Sequence, residues 1–201
     1  MRSAFAWMAL LASGCGSEPE SAPSVPRDAL LRARDLKAGG SRNTFSLATL
    51  PGVGTCWLSD REIELRFARD NYVEGEFTAV SGTAYRCWAY LGGCCQETFE
   101  VLLQTTDGTV LDRDKRVSME PGGNIADLIK IEPVGLAIDH QAHGGEKRPA
   151  VWMWVSIPLP GYATGGSKRI RLLTCQKGCA VAAVKVSSLD LQPPESPPPP
   201  E

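Results

Sequence analysis

Aromatic side chains that alternate along predicted strands are the residues whose types and spacing best suit ligand chemistry. Trp88 and Tyr90 share one face of a strand, and Trp152 and Trp154 share one face of another. Indole and phenol rings stack on the C–H faces of sugar rings, whose hydroxyls then need polar partners such as Arg86. We therefore interpret these five residues as a candidate ligand platform. The alternative is that both faces of each strand are buried, so that the aromatic residues belong to the core.

Pairs of carboxylates are a second candidate for chemistry. Such pairs are Glu62 with Glu64, Glu74 with Glu76, and Asp112 with Asp114. Glycoside hydrolases use two carboxylates, and a hydrolase is therefore a third, less favoured hypothesis. Carboxylates two residues apart also mark the solvated face of an antiparallel strand, and we favour that interpretation.

The remaining polar motifs do not predict an active site. His140 and His143 are the only histidines, and their Gly-rich segment predicts a solvated loop rather than a metal site. The sequence contains no G-x-S-x-G, GxxxxGK[ST] or GxGxxG motif. We therefore expect that the protein is not an enzyme, that it has no catalytic residues and that it has no metal site of this kind.

Seven cysteines divide into one near the start of the chain and six further on. An even number of cysteines in an oxidising compartment predicts disulfides. Cys175 and Cys179 flank a predicted tight hairpin, across which they would pair. A bond between the adjacent Cys94 and Cys95 would be strained, so we expect Cys56 and Cys87 each to pair with one of them, and the sequence leaves open which. Cys87 with Cys94 would pin a hairpin that turns at Gly92-Gly93, and Cys56 would then pair with Cys95. Four thiolates holding zinc are the alternative, but the spacing is not CxxC…CxxC.

The first fifteen residues, MRSAFAWMALLASGC, combine Arg2 with an apolar run from Ala4 to Ala12. That run has signal-peptide length and is too short to span a bilayer. The segment resembles a bacterial lipoprotein signal, whose lipobox ends in a small residue and Cys, although Ala12 stands where Leu is commoner. The resemblance implies a lipid on Cys15 and an exported protein of the outer membrane or cell surface, with a periplasmic orientation still open. An ordinary secretory signal cleaved nearby is the alternative.

Prolines mark the domain boundaries. Nine of the 15 prolines lie before residue 27 or after residue 192. We predict a signal peptide over 1–15, a flexible tether over 16–40 with a short helix at 28–38, one domain over 41–191, and a disordered Pro-rich tail over 192–201.

The domain itself has a period of two rather than 3.6. Alternating runs include REIELRF, VEGEFTAV, AYRCWAYL, ETFEVLLQT, AVWMWVSIPL, KRIRLLT and AVAAVKVSS, and we also expect a strand over NIADLIKI. Turn signals between the runs are Gly92-Gly93, Asp107-Gly108, Gly122-Gly123, Gly144-Gly145 and Gly165-Gly166. Many short strands with Gly-rich turns predict an all-β protein with a single antiparallel β-sandwich of jelly-roll type.

Residues 55–188 resemble a galactose-binding-like β-sandwich of the carbohydrate-binding-module kind. WMWVSIPLPGY, GGSKRIRLLT and AVAAVKVSS resemble its closing strands, and EGEFTAVSGTAYRCWAYLGGCC with ETFEVLLQT resembles its core. The resemblance implies a binding module rather than an enzyme, with a structural calcium ion in some members.

These observations lead to two functional hypotheses. The first is an exported, lipid-anchored module that binds cell-envelope or extracellular glycans without catalysis. The second is a structural or protein-interaction module of the envelope with no small ligand. The near balance of 21 basic and 23 acidic residues argues against nucleic acid as a partner.

Overall fold

The computed structural model describes residues 28–93, 98–118, 132–139, 147–159 and 165–188. The strands are β1 Asp28–Arg32, β2 Lys37–Gly39, β3 Phe45–Leu50, β4 Gly54–Ser59, β5 Tyr72–Ala79, β6 Tyr85–Gly93, β7 Thr98–Thr105, β8 Val110–Ser118, β9 Glu132–Asp139, β10 Lys147–Leu159, β11 Gly166–Leu173 and β12 Ala180–Ser187. A 3-10 helix covers Leu65–Asp70. No helix among the described residues is long and apolar enough to cross a membrane.

The described strands form two antiparallel sheets. The large sheet has the order β3-β4-β12-β6-β10-β9, with β1 also paired to β12, and the small sheet has the order β2-β5-β11-β7-β8. The chain changes sheet repeatedly, because β5, β7 and β11 belong to the small sheet whereas β6, β10 and β12 belong to the large one. The predicted antiparallel β-sandwich of jelly-roll type is thus confirmed.

The core between the sheets comes from the strict alternation of strand side chains. On β6, Tyr85, Cys87, Ala89 and Leu91 all point inward, as the period-two pattern predicts. From the small sheet, the same core receives Val73, Phe77, Ile170, Leu172 and Phe99. Burial of these apolar faces against each other is the main force that holds the two sheets together.

The segment 28–38 is not helical, and this prediction was wrong. β1 pairs with β12, with Leu31 opposite Val184, and β2 pairs with β5. An isolated helix of this length is marginal, so hydrogen bonds to open strand edges outweigh its weak local preference. The sandwich therefore includes residues 28–40, which were predicted to belong to the tether; the segments predicted to be a signal peptide and a tail lie outside the described residues.

Two other local predictions were also wrong. REIELRF is a loop followed by the start of the 3-10 helix instead of a strand. The guanidinium carbons of Arg42 and Arg66 lie 4.8 and 4.7 Å from the centre of the Phe67 ring. Gly92-Gly93 is not a turn, because β6 continues through Gly93.

The turn at Asp107-Gly108 is confirmed between β7 and β8, where Gly108 has a positive φ of 91°. NIADLIKI and the turns predicted at Gly122-Gly123 and Gly144-Gly145 lie outside the described residues.

Asn71 fixes the end of the 3-10 helix against both sheets. Its side-chain oxygen accepts a hydrogen bond from the Thr44 N–H at 2.8 Å, and its amide donates to the Thr174 carbonyl at 2.7 Å. The Asn71 side chain is fully buried. Since Thr174 directly follows β11, this contact sets the position of the chain that lines a cleft described below.

Candidate functional site on the exposed sheet

The four aromatic residues of the predicted platform are buried, and the prediction that they form an exposed ligand surface was wrong. The exposed fractions are 2% for Trp88 and 1% each for Tyr90, Trp152 and Trp154. The Tyr90 ring packs against both indoles of β10, with centroid distances of 5.4 Å to Trp152 and 5.1 Å to Trp154. The four rings do share one sheet face as expected, but that face carries a second buried layer.

The β3–β4 hairpin contributes to this second layer on the outer face of the large sheet. Leu50 and Cys56 are buried in the same cluster, and Ala48, Val53 and Leu58 pack against it. Arg86 is half-buried at its edge, with its guanidinium 5.6 Å from the Trp88 ring centre. The indole N–H groups of Trp88 and Trp152 are also buried without a hydrogen-bond acceptor.

None of the four described cysteines is in a disulfide, so the disulfides predicted for Cys175, Cys179, Cys56 and Cys87 are not present in the described residues. The segment between Cys175 and Cys179 is not a tight hairpin, because it joins β11 of the small sheet to β12 of the large one. Cys179 instead lies in the core between the sheets, with its sulfur 3.2 Å from the Thr174 hydroxyl.

Cys56 and Cys87 face opposite sides of the large sheet. Cys87 lies in the core between the sheets, and Cys56 lies in the outer layer. Burial raises the pKa of Cys56 to about 12 and raises that of Cys87 as well. Their predicted partners, Cys95 and Cys94, lie outside the described residues. The hairpin expected to place Cys94 opposite Cys87 does not form at Gly92-Gly93, since β6 runs on as a strand.

The other polar candidates lie away from β5 and β11 or outside the described residues. His140 and His143 lie outside the described residues, and Asp112 and Asp114 lie on β8. In the part of the chain that the structure describes, no group of His, Cys, Asp and Glu could hold a metal ion.

A row of paired charges lies instead on the outer face of the small sheet. Arg171 lies opposite Glu74 and donates from Nε to its carboxylate at 2.7 Å. Arg169 lies opposite Glu76 and donates from Nη2 to its carboxylate at 2.9 Å. We call Glu74, Glu76, Arg169 and Arg171 the charged ladder. It places hydrogen-bond donors and acceptors side by side on one surface.

The ladder is neither fully buried nor fully solvated. The side chains of Glu74, Arg169 and Arg171 are about one-fifth exposed, whereas that of Glu76 is 53% exposed. The hydrogen bond from Arg169 to Glu76 raises the pKa of the Arg169 guanidinium above its ordinary value, and the charge of Glu74 adds to the effect. Such shielded ion pairs are less screened by salt than fully exposed ones.

Gln104 on β7 extends the ladder across the neighbouring strand. It lies opposite Arg169, and only 8% of the residue is exposed. The Gln104 Oε1 and the Arg169 Nε are both buried, and neither has a hydrogen-bond partner. A buried polar atom without a partner costs about 1–3 kcal/mol in folding free energy, so this pair of atoms needs an explanation.

Tyr72 closes one end of the ladder. The Arg171 guanidinium carbon lies 4.0 Å from the centre of its ring, in cation–π contact. The ring also lies against Gly39, where an added Cβ would come within 2.8 Å of it. These contacts hold the half-buried Tyr72 ring in place beside the charged groups.

A cleft of about 190 Å³ lies at the same end of the small sheet, beyond the last rung. Leu173 and Glu100, which are opposite each other on β11 and β7, form part of its wall. The 3-10 helix contributes Leu65 and Ala68, and the chain after β11 contributes Thr174, Cys175 and Gln176. The cleft is mainly apolar and continues the surface that carries the ladder.

Neither Arg169 nor Arg171 was predicted to be a site residue, and Glu74 and Glu76 were interpreted as ordinary solvated positions. The available signal was the matching period of two in EGE and KRIR. The pairing itself joins residues 97 and 93 positions apart, so it depends on strand register that no local pattern encodes.

Comparison with known proteins gives structural similarity only. No protein-family model and no curated protein match this chain. A family 6 carbohydrate-binding module of a laminarinase from Zobellia galactanivorans matches with TM-score 0.41 and 10% identity, over 80% of this chain and 98% of that chain. A family 6 module from Clostridium stercorarium in complex with cellobiose matches with TM-score 0.43 and 13% identity, over 80% and 93%.

A third match is far longer than this protein. A family GH115 4-O-methyl-α-glucuronidase with specificity for decorated arabinogalactans matches with TM-score 0.44 and 9% identity. The match covers 81% of this chain but 18% of the glucuronidase chain. At such identities and TM-scores the matches do not bear on function, and the functional argument rests on the residues of this chain.

Proposed function

We propose that this protein is a non-catalytic glycan-binding module whose ligand lies on the outer face of the small sheet. The observation that carries the proposal is the charged ladder, in which carboxylate acceptors and guanidinium donors alternate on one partly exposed surface. Each sugar hydroxyl both donates and accepts a hydrogen bond, so adjacent carboxylate and guanidinium groups suit it. The proposal keeps the glycan ligand expected from the sequence and moves its site from the large sheet to the small one.

The surroundings of the ladder also suit a sugar. Leu102 lies opposite Arg171 on β7 and is half-buried, and the apolar cleft follows at the end of the same face. Sugar-binding sites combine a few placed polar groups with apolar contact to C–H faces. The ladder and these apolar neighbours supply both.

The ladder carboxylates are poorly arranged for hydrolysis. A glycoside hydrolase needs one carboxyl group that donates a proton and a second that acts as base or nucleophile. Glu74 and Glu76 both accept hydrogen bonds from arginines on β11, so their carboxylate oxygens are already engaged in ion pairs. This supports binding without catalysis.

The proposal includes export and a lipid anchor on Cys15, which rest on the leader sequence. Expression of the full chain with radiolabelled palmitate tests this part. We expect label on the wild type, and none on Cys15→Ser or after inhibition of the lipoprotein signal peptidase. A mature chain that begins elsewhere and carries no label would refute the anchor without affecting the binding site.

A glycan array probed with the full chain in detergent tests the binding function. We expect binding that is lost, by at least tenfold in affinity, in the double variant Glu74→Gln, Arg171→Gln. The matched control is Asp60→Asn, Arg61→Gln, which removes one acidic and one basic residue after β4, both exposed. Equal affinity of the ladder variant and the control would contradict the proposed site.

The second hypothesis, a structural or protein-interaction module of the envelope, has one observation in its favour. All four aromatic residues of the predicted platform are buried. The exposed large apolar residues among those described are Leu30, Leu47, Leu65 and Val80. A folded protein that binds no glycan on the array would favour this second function.

A further inference from the structure

We infer that the ladder takes a neutral glycan and anchors one of its hydroxyl groups between Gln104 and Arg169. This inference rests on the proposed function and specifies its ligand class. The two residues are cross-strand partners on β7 and β11. Gln104 Oε1 can only accept a hydrogen bond and Arg169 Nε can only donate one, and neither atom makes a hydrogen bond. The Arg169 Nε lies 3.7 Å from a Glu74 carboxylate oxygen, an ion-pair distance that is too long for a hydrogen bond.

The acceptor Gln104 Oε1 and the donor Arg169 Nε together determine which ligand group can hydrogen-bond to both. A carboxylate, sulfate or phosphate only accepts hydrogen bonds, so it would satisfy Arg169 and leave Gln104 Oε1 facing negative charge. An ammonium group only donates, so it would satisfy Gln104 Oε1 and leave the Arg169 Nε–H without a hydrogen-bond acceptor. A hydroxyl group donates to one atom and accepts from the other, and thus satisfies both.

The charge of the surface supports the same choice. Two carboxylates face two guanidinium groups across β5 and β11, so the ladder carries no excess charge. Since Glu74 and Glu76 already compensate the two guanidinium groups, the ladder offers no excess positive charge to a uronic acid or a sulfated sugar. A neutral chain of hydroxyl-bearing rings needs none.

Access to the anchor involves Glu76. The Gln104 and Arg169 atoms are shielded from solvent, and Arg169 is held by Glu76 through Nη2. The Glu76 side chain is 53% exposed, so its ion pair is weak and its displacement is easy. The hydroxyl enters when Arg169 turns away from Glu76 and towards the ligand.

The substitutions Gln104→Leu and Arg169→Lys test the anchor. Leu keeps the size of Gln104 without its unpaired oxygen, so the thermal midpoint of the free protein should not fall. Lys keeps the charge of Arg169 but lacks Nε–H. We expect each to weaken binding at least tenfold for the best neutral ligand. Unchanged affinity in both would overturn the anchor, and a fall in the Gln104→Leu midpoint would show a structural role instead.

Isothermal titration of the full chain with matched polysaccharides tests the ligand class. The neutral probes are β-glucan, galactan, xylan and mannan, and the acidic probes are polygalacturonate and alginate. We expect at least tenfold tighter binding of the best neutral probe than of either acidic one. Tighter binding of an acidic probe would overturn this inference while the proposed function stood. Failure of all probes, with a folded protein, would overturn the proposed function itself and this inference with it.

Discussion

Gly92 lies directly beneath the indole ring of Trp152, its cross-strand partner on β10. A Cβ at Gly92 would lie 2.6 Å from Cε2 and Cζ2 of that ring, closer than carbon atoms approach in proteins. The indole cannot move away freely, because it packs against Tyr90 and is 99% buried by the layer around it (1% exposed). The absence of a side chain at residue 92 is therefore a packing requirement of the aromatic layer, and not a sign of a turn.

Gly92→Ala should destabilise the protein by about 1–3 kcal/mol, because it overpacks a filled core. Urea denaturation of the variant and the wild type measures this change. In a Trp152→Leu background the same substitution should be neutral or slightly stabilising, since Ala in a strand is otherwise preferred to Gly. An equal loss in both backgrounds would show that the clash with Trp152 is not the cause.

Trp154 should matter for stability and not for ligand affinity. Trp154→Ala removes a fully buried ring and should lower the unfolding free energy by about 3–5 kcal/mol. Trp57 is half-buried and donates from Nε1 to the Ala33 carbonyl at 2.8 Å, so Trp57→Ala is the milder comparison. Glycan affinity of the folded Trp154→Ala protein should stay within about twofold of the wild type, roughly 0.4 kcal/mol. A large loss of affinity with little loss of stability would restore the aromatic residues as the site.

The four described cysteines should react with a thiol reagent at very different rates, because their exposure to solvent differs. Alkylation of the native, unreduced protein should modify Cys175 first, because Cys56, Cys87 and Cys179 are completely buried. Unfolding without reductant should then expose all four to the reagent. Peptide mass spectrometry measures the pattern, and protection of Cys175 and Cys179 until reductant is added would show that they form the disulfide after all.

Cys56 should make the fold sensitive to alkali. Its pKa is raised from 9.0 to about 12, so the unfolded thiol loses its proton at lower pH than the folded one. Stability from this residue is fully present below pH 9 and falls as the pH rises from 9 towards 12. Cys56→Ala should make the pH dependence of unfolding less steep by about one proton. An unchanged slope would contradict the buried thiol.

Asp107 should give the opposite pH dependence at the β7–β8 turn. The Thr105 hydroxyl and the Thr109 backbone N–H donate hydrogen bonds to its carboxylate, which lowers its pKa from 3.8 to about 2. This stabilisation is present above pH 3.8 and is lost as the pH falls towards 2. Acid titration of unfolding should therefore be shallower for Asp107→Asn than for the wild type, and identical curves would contradict the role of the turn.

The sequence predicts the strands better than their partners. The alternation of Tyr85, Cys87, Ala89 and Leu91 correctly identifies the inner face of β6. On that strand the opposite face is also apolar, so periodicity alone cannot show whether Trp88 and Tyr90 are covered. They form a buried cluster with Leu50 and Cys56 of a hairpin distant in sequence, and such contacts depend on the tertiary fold.

The candidate site was harder to predict for a related reason. Glu74 and Arg171 are ordinary charged residues on strands far apart in the sequence, and only the register of β5 and β11 places them opposite each other. The unpaired oxygen of Gln104 is a property of the packed structure, because it depends on the burial of one side-chain atom. Neither feature has a local sequence signature.

NMR titration with the best-binding neutral oligosaccharide is the most direct test of the central claim, that the ligand lies on the small sheet. The side-chain N–H signals of arginine and tryptophan report on the two faces separately. We predict that the Nε–H signals of Arg169 and Arg171 shift during the titration while the indole signals of Trp88, Trp152 and Trp154 stay in place. Shifts of the indole signals with unmoved arginine signals would place the ligand on the large sheet and contradict the account.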